Sequence, residues 1–223
     1  MRLFYIKFSK YQKLHTMCAK LNWSHIRELL NYDCDKIYYY LLISHNQNLS
    51  VRELHEKIKN NEYERLPIET KEKLKNKEEN KVTDFIKNPI LIKNSYDYER
   101  ITEKILKQLV LEDLDTFMKE LGNGFCYIEN EYKIKIGNRY NYIDLLLFNY
   151  KYNCFVVVEL KVIELKKEHI GQIQTYMNYI DKNIKTITQD KTIGIIICKK
   201  GNEFVLEYSS DDRIFETNYI LKC

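Results

Sequence analysis

Two short runs, Phe155-Val156-Val157-Val158 and Ile193-Gly194-Ile195-Ile196-Ile197, leave no polar position on either side of an extended chain. Strand side chains alternate between faces, so such strands cannot lie with one face in water. They belong in the middle of a sheet covered by helices on both sides, which is an α/β arrangement. The neighbouring segments fit it. Leu106, Val110, Leu114, Phe117, Met118 and Leu121 form one helical stripe that ends at Gly122. Phe125–Ile128 and Tyr132–Ile136 read as one bulged strand, and Gly137-Asn138 turns into Tyr140–Phe148. Asn149–Asn153 turns into Cys154–Lys161, and a helix follows from about Lys166 to Asp181. Thr192–Cys198 and Glu203–Tyr208 read as two more strands around a turn at Gly201-Asn202.

The front of the chain is helical by pattern. Ser24–Leu30 suits one short helix, and Ile37, Tyr40, Leu41 and Ile43 carry the next. After a turn at Asn46–Asn48, Ser50-Val51-Arg52-Glu53 has the spacing of a capping box, with Val51, Leu54 and Ile58 behind it. Two helices across a short polar turn have the look of a helix-turn-helix, and any helical hairpin shares that look. Residues 69–83 alternate charge with few apolar residues and read as a solvated helix or charged linker. The expected division is a helical domain at 1–68, the linker at 69–83 and a second domain at 84–223.

Composition removes several classes. No apolar run approaches the roughly 18 residues that span a bilayer, and no secretory leader pattern opens the chain. The six cysteines stand apart, without zinc spacing, as expected of free thiols in a reducing cytoplasm. Neither a phosphate-binding glycine loop nor a dinucleotide fingerprint occurs. The net charge of +4 is uneven: residues 1–90 hold 17 Lys and Arg against 12 Asp and Glu. Arg2, Lys7, Lys10, Lys13, Lys20 and Arg27 all precede the first acidic residue, Glu28. A basic front is compatible with a polyanion. With Ala19 the only alanine, the abundance of Lys and Asn reflects compositional bias as much as function.

The chemistry lies where ionisable residues interrupt the apolar strands. Asp144 sits inside Tyr-Ile-Asp-Leu-Leu-Leu-Phe, and Glu159 and Lys161 close Phe-Val-Val-Val-Glu-Leu-Lys. A carboxylate in a buried strand is costly without a partner. With the hairpin centred near Lys151, Asp144 falls across from about Val158, next to Glu159, and Lys161 shares the face of Glu159. Two carboxylates and the Leu160 carbonyl suit a hard, oxygen-seeking Mg²⁺, with Mn²⁺ as a substitute. The lysine would then position a water for attack on a phosphodiester. A buried ion pair without a reaction is the plain alternative.

Asp144 followed by Glu159-x-Lys161 resembles the PD-(D/E)xK nuclease superfamily, and a longer set of segments resembles the YhcG-type PDDEXK nuclease family. These are Leu121-Gly122-Asn123-Gly124-Phe125, Tyr142-Ile143-Asp144-Leu145-Leu146, Val157-Val158-Glu159-Leu160-Lys161, Gly171-Gln172 and Ile193-Gly194-Ile195-Ile196, with Trp23-Ser24-His25 and Ser50–Leu54 upstream. The resemblance implies a restriction-endonuclease-like mixed sheet flanked by helices, behind a small all-α and shortened N-terminal module. It implies Mg²⁺-dependent hydrolysis of nucleic acid, DNA in the first instance. Asp144, Glu159 and Leu160 would hold the metal, and Lys161 would be catalytic. Gln172 and Tyr176, four apart on one helical face, resemble the accessory motif of RecB-like nucleases; the pattern alone reads equally as a surface amide and a packing aromatic.

Other residues receive plainer readings. The resemblance would also allow an acidic catalytic residue from the first helix, and Glu112 is the candidate, although its place nearly opposite the Leu106/Leu114/Leu121 stripe reads first as a solvated position. Trp23 is read as a core anchor, and His15, His25, His45 and His55 as surface or capping groups. Phe4, Tyr5, Phe8 and Tyr11, between lysines, fit packing or nucleic acid. A homo-oligomer stays open, no membrane partner is expected, and the rival function is a nucleic-acid-binding or assembly protein that keeps the fold without turnover.

Overall fold

A computed structural model describes residues 21–76, 81–207 and 211–222. The basic and aromatic residues between Arg2 and Lys20 lie outside these described residues. The chain divides into two compact units, Met1–Asn80 and Lys81–Cys223.

The described part of the first unit has four helices, α1 (Trp23–Leu29), α2 (Cys34–Gln47), α3 (Val51–Lys59) and α4 (Ile68–Asn76). Asn22 caps α1, and α2 ends at Asn48 in the left-handed region, φ 51°. The capping box at α3 is formed: the Ser50 side chain accepts from the Glu53 N–H while Glu53 accepts from the Ser50 N–H at 2.8 Å. Leu29, Tyr40, Leu41 and Leu54 are fully buried. Inside this core Tyr39 donates to Glu62 at 2.7 Å, and Lys57 pairs with the same carboxylate at 2.9 Å. Burial first, then the Glu62 charge, pushes the Tyr39 hydroxyl well above its ordinary range.

Two expectations change here. Trp23 is 46% exposed, not a core anchor: Ile26 and Leu29 take the inward face of α1 and leave Trp23 in its first turn outside. His25 is buried and not a surface or capping group: Asn22 is the cap, and the His25 ring meets Asn22 Oδ1 at 2.7 Å and the Leu49 carbonyl at 2.8 Å. The segment read as a solvated helix or charged linker begins with α4, which buries Thr70 and Leu74 and stays with the first unit.

The second unit is a six-stranded sheet between helical layers. Its elements are β1 (Ile90–Lys93), α5 (Glu103–Glu112), α6 (Leu114–Leu121), β2 (Phe125–Ile136), β3 (Arg139–Asn149), β4 (Cys154–Glu164), α7 (Lys167–Asn183), β5 (Asp190–Lys200), α8 (Glu203–Glu207) and β6 (Ile214–Lys222). The strand order is β1-β6-β5-β4-β3-β2, with β1, β6, β5 and β4 parallel and β3 and β2 antiparallel to their neighbours. The doubly apolar strands β4 and β5 are central, as their sequence requires. One face packs Leu145, Leu147, Val156, Val158, Ile195 and Ile197 under Leu106, Leu109, Val110, Phe117 and Leu121 of α5 and α6. The other packs Leu146, Val157 and Ile196 under Ile173, Met177 and Ile180 of α7.

The expected single helix before Gly122 is two. Asp113 leaves the helical region (φ −129°, ψ 56°) and its carboxylate accepts from Thr116 N–H, so it starts α6 as a cap. The strand expected at Glu203–Tyr208 is wrong: 203–207 is the short helix α8, and the last strand is β6. The topology explains the miss. A strand directly after the Gly201-Asn202 turn would return antiparallel, whereas β6 runs parallel to β5 and requires a crossover connection. Helix α7 is held close to the sheet at Gly194, where an added Cβ would lie 2.6 Å from Met177 Sδ and 2.9 Å from Ile173 Cδ1. Near its other end Arg213 pairs with Asp181 at 2.8 Å and with Asp211 at 2.6 Å, fastening α7 to the start of β6.

Candidate active site

Strands β3 and β4 pair from Asn149↔Cys154 to Leu145↔Val158. One step further stand Asp144 and Glu159, and there carboxylates replace the backbone ladder. The Asp144 N–H reaches Glu159 Oε1 at 3.4 Å, and the Leu160 N–H donates to Asp144 Oδ2 at 3.0 Å. Beyond this point β4 continues along β5, with Glu159 beside Ile196 and Lys161 beside Cys198, while β3 continues along β2. The sheet forks, and the two carboxylates line the fork.

Glu159 is 2% exposed and Lys161 7%, and their head groups meet at 3.0 Å. Burial, reinforced by the Asp144 charge, pushes the Glu159 carboxyl up to about 7 even though Lys161 pulls the other way. The same contact acts differently on its partner: burial would lower the Lys161 ammonium, but Glu159 holds it above its ordinary value. Asp144 adds to both shifts, since its charge lies beside the pair. The fork has two carboxylates and one lysine of its own.

A second cation makes up the difference. Lys107 of α5 lies 2.7 Å from Asp144 Oδ1 and 3.2 Å from Glu131 Oε1. Burial opposes its charge, and the two carboxylates restore and raise it. Glu131 sits at φ 51°, a left-handed kink in β2 beside the bulge at Tyr127/Glu129. Glu103, one turn before Lys107, raises the proton affinity of both Lys161 and His169, so it too lies near the fork. His169 accepts from the Lys166 N–H at 3.2 Å and is held below its ordinary value by burial and then by Lys161.

The structure thus brings Asp144, Glu159 and Lys161 into one bonded cluster. Gln172 is half-buried and donates to Tyr176 Oη at 3.0 Å, and Tyr176 is part of the core under α7. This bond joins the pair to one another, not to the carboxylates. Glu112 accepts from Gln108 at 2.8 Å and lines a groove of about 350 Å³ with Lys104, Lys107, Asn130 and Glu131. The sequence reading missed Lys107 and Glu103. Their signal was a Glu–Lys pair four apart on α5, three residues before Leu106 and Val110 in turn and so bordering the buried stripe.

The donor set fits a hard cation. Asp144, Glu159 and the Leu160 carbonyl offer oxygen only. Among the described residues no three His, Cys, Asp or Glu side chains gather into a closed cage. A cation here would keep coordination positions for water or phosphate, as Mg²⁺ commonly does. No described helix is long and apolar enough to cross a membrane.

A family model described as the YhcG PDDEXK nuclease domain matches residues 83–222, and one described as the DUF1016 N-terminal domain matches residues 1–65. The protein named "Putative nuclease YhcG" of Escherichia coli (strain K12) is 26% identical over 117 residues, 52% of this chain and 31% of that protein. The chain therefore spans about a third of the length of this curated relative. Among solved structures, a repair endonuclease from Pyrococcus abyssi overlaps 56% of this chain and 49% of its own, at 20% identity and a TM-score of 0.39. EndoMS in complex with dsDNA overlaps 57% and 48%, at 18% identity and a TM-score of 0.37. Since the stretch carrying Asp144, Glu159 and Lys161 matches over more than half of the chain, this protein belongs to the YhcG PDDEXK nuclease family.

Proposed function

We propose that the second unit hydrolyses phosphodiester bonds of DNA with Mg²⁺ as its metal. The observation that carries the reading is the fork, where a buried Glu159 and Lys161 meet Asp144 at the point where β3 leaves β4. Asp144, Glu159 and the Leu160 carbonyl would hold the metal, which would supply Lewis-acid stabilisation of charge developing on the phosphate. Lys161, kept protonated by Glu159, orients the attacking water and offers a donor to the phosphate oxygens. Lys107 balances Asp144 until substrate and metal arrive. The Gln172–Tyr176 pair serves as a positioning element on α7. Residues 1–65 supply affinity for the nucleic-acid backbone, a role supported by their basic front.

The test is a cleavage panel of single-stranded, duplex and branched DNA and the matching RNAs, with Mg²⁺, Mn²⁺ or EDTA. The expected result is metal-dependent cleavage of DNA that falls about 100-fold or more in Lys161→Ala. Binding of these substrates without cleavage of any would favour the non-catalytic binding protein instead.

A further inference from the structure

Beyond the fork, β2 and β3 continue as a two-stranded arm that β4 does not accompany. Its rungs are Tyr132↔Ile143, Lys133↔Tyr142, Ile134↔Asn141, Lys135↔Tyr140 and Ile136↔Arg139. Directly opposed residues share a face, and faces alternate from rung to rung. One face carries Ile134 and Ile143, both buried in the core under α7. The other carries Lys133, Lys135, Tyr140 and Tyr142, with Tyr140 56% and Tyr142 53% exposed. The Lys133 ammonium lies 4.0 Å from the Tyr140 ring centroid, and Lys135 lies at 5.8 Å. Residues 132–143 contain three basic residues and no acidic one.

The half-exposed rings do not serve the core, because the opposite face of the same two strands already supplies it through Ile134 and Ile143. Rings flanked by ordered ammonium groups, on a ribbon without acid, match a chain of flat apolar bases joined by phosphates. The arm also begins at Asp144, so a strand leaving the fork along β3 meets this face next.

We infer that the outer face of the β2–β3 arm is a stacking platform for an unpaired nucleic-acid strand next to the bond being cut. The inference rests on the nuclease reading of the fork and adds a substrate class to it. Tyr142 stacks a base, Tyr140 holds Lys133 in place, and Lys133 and Lys135 meet the phosphates on either side. A duplex is the weaker match. A ribbon can enter a major groove, but readout there relies on side chains with paired donors and acceptors, such as Arg, Asn and Gln. Asn141 and Arg139 lie on the rungs of the opposite face, and duplex bases hide the surfaces that a tyrosine would cover.

The experiment measures fluorescence anisotropy of a labelled oligo-dT and of a duplex of equal length, in EDTA, with the full chain. The variants are Tyr142→Ala, Tyr142→Phe and Lys133→Gln/Lys135→Gln. Tyr142→Ala should weaken single-strand binding about tenfold while Tyr142→Phe retains it, because stacking needs the ring and not the hydroxyl. The double lysine variant should lower the log–log salt slope on the single strand by about 1.4, roughly 0.7 for each phosphate contact. Duplex binding should change less than twofold in all three. Equal losses on duplex and single strand, or no loss in Tyr142→Ala, would overturn the inference. Metal-dependent cleavage is measured separately. A chain that binds through the arm but never cleaves removes the nuclease reading alone, and one that cleaves with Tyr142→Ala binding unchanged removes the arm alone.

Discussion

Lys107 of α5 reaches to within 2.7 Å of Asp144 Oδ1, so a lysine from one helical layer neutralises a carboxylate at the fork of the sheet. A metal approaching Asp144 must compete with this ammonium, which has Glu131 at 3.2 Å as a second partner.

Lys107→Gln should therefore bind Mn²⁺ more tightly than the native chain, on the order of tenfold, the worth of one charge-assisted contact. Isothermal titration with Mn²⁺ checks this, with Asp144→Ala as the control that binds least. Unchanged affinity in Lys107→Gln would mean that the ammonium does not stand at the metal position.

The raised Glu159 gives a pH signature in the absence of metal. Its carboxyl is held at about 7 against an ordinary 4.5, so the folded state keeps a proton that the unfolded chain has already released. The stability linked to this group is complete below pH 4.5 and is lost as pH rises towards and through 7. Each pH unit is worth about 1.4 kcal/mol, so the native chain should lose about 3 kcal/mol relative to Glu159→Gln across that window. Urea unfolding in EDTA on either side of the window, at about pH 4.5 and about pH 8, measures the difference. A gap between the two proteins that does not move with pH would contradict the burial assigned to this carboxylate.

Gly194→Ala tests the seating of α7. The new methyl would meet the tips of Met177 and Ile173, which can shift only at the expense of the packing under α7. Unfolding should become easier by about 1–3 kcal/mol, the usual range for overpacking. A neutral result would mean that Met177 turns away freely and that the close approach matters little.

Removing residues 1–80 separates the proposed roles of the two units. The remaining chain should bind duplex DNA more weakly, with a log–log salt slope lowered by about 0.9 for each phosphate that the first unit neutralises in the full chain. Slow metal-dependent cleavage should persist. Unchanged affinity and slope would instead assign the first unit to protein–protein assembly.

Several features were legible because they depend on neighbours in sequence. The capping box at Ser50 and Glu53 needs only a spacing of three residues, and it forms as read. The hairpin between β3 and β4 is short, so counting from its turn placed Asp144 within one residue of its partner. Reading failed where the partner is remote. Phe204 and Val205 look like strand residues, but the strand that follows β5 must pair parallel to it, and Phe204 is left 73% exposed in α8. Asp113 looked like one more turn of a helix, although its side chain was as well suited to start a new one.

The sequence by itself determined the central strands, because residues apolar on both faces admit no other place in a sheet, and it determined that Asp144, Glu159 and Lys161 gather, because a tight hairpin fixes register. Only the tertiary structure decided which outside groups complete that cluster. Lys107 and Glu103 are far from it in sequence, and their approach depends on how α5 crosses the sheet, a matter of packing between Leu106, Leu109 and Val110 and the strands beneath. The exposed tyrosines of the β2–β3 arm belong to the same class. Strand alternation puts them on one face, but which face the core covers was settled by α7, which buried Ile134 and Ile143 and left Tyr140 and Tyr142 to solvent.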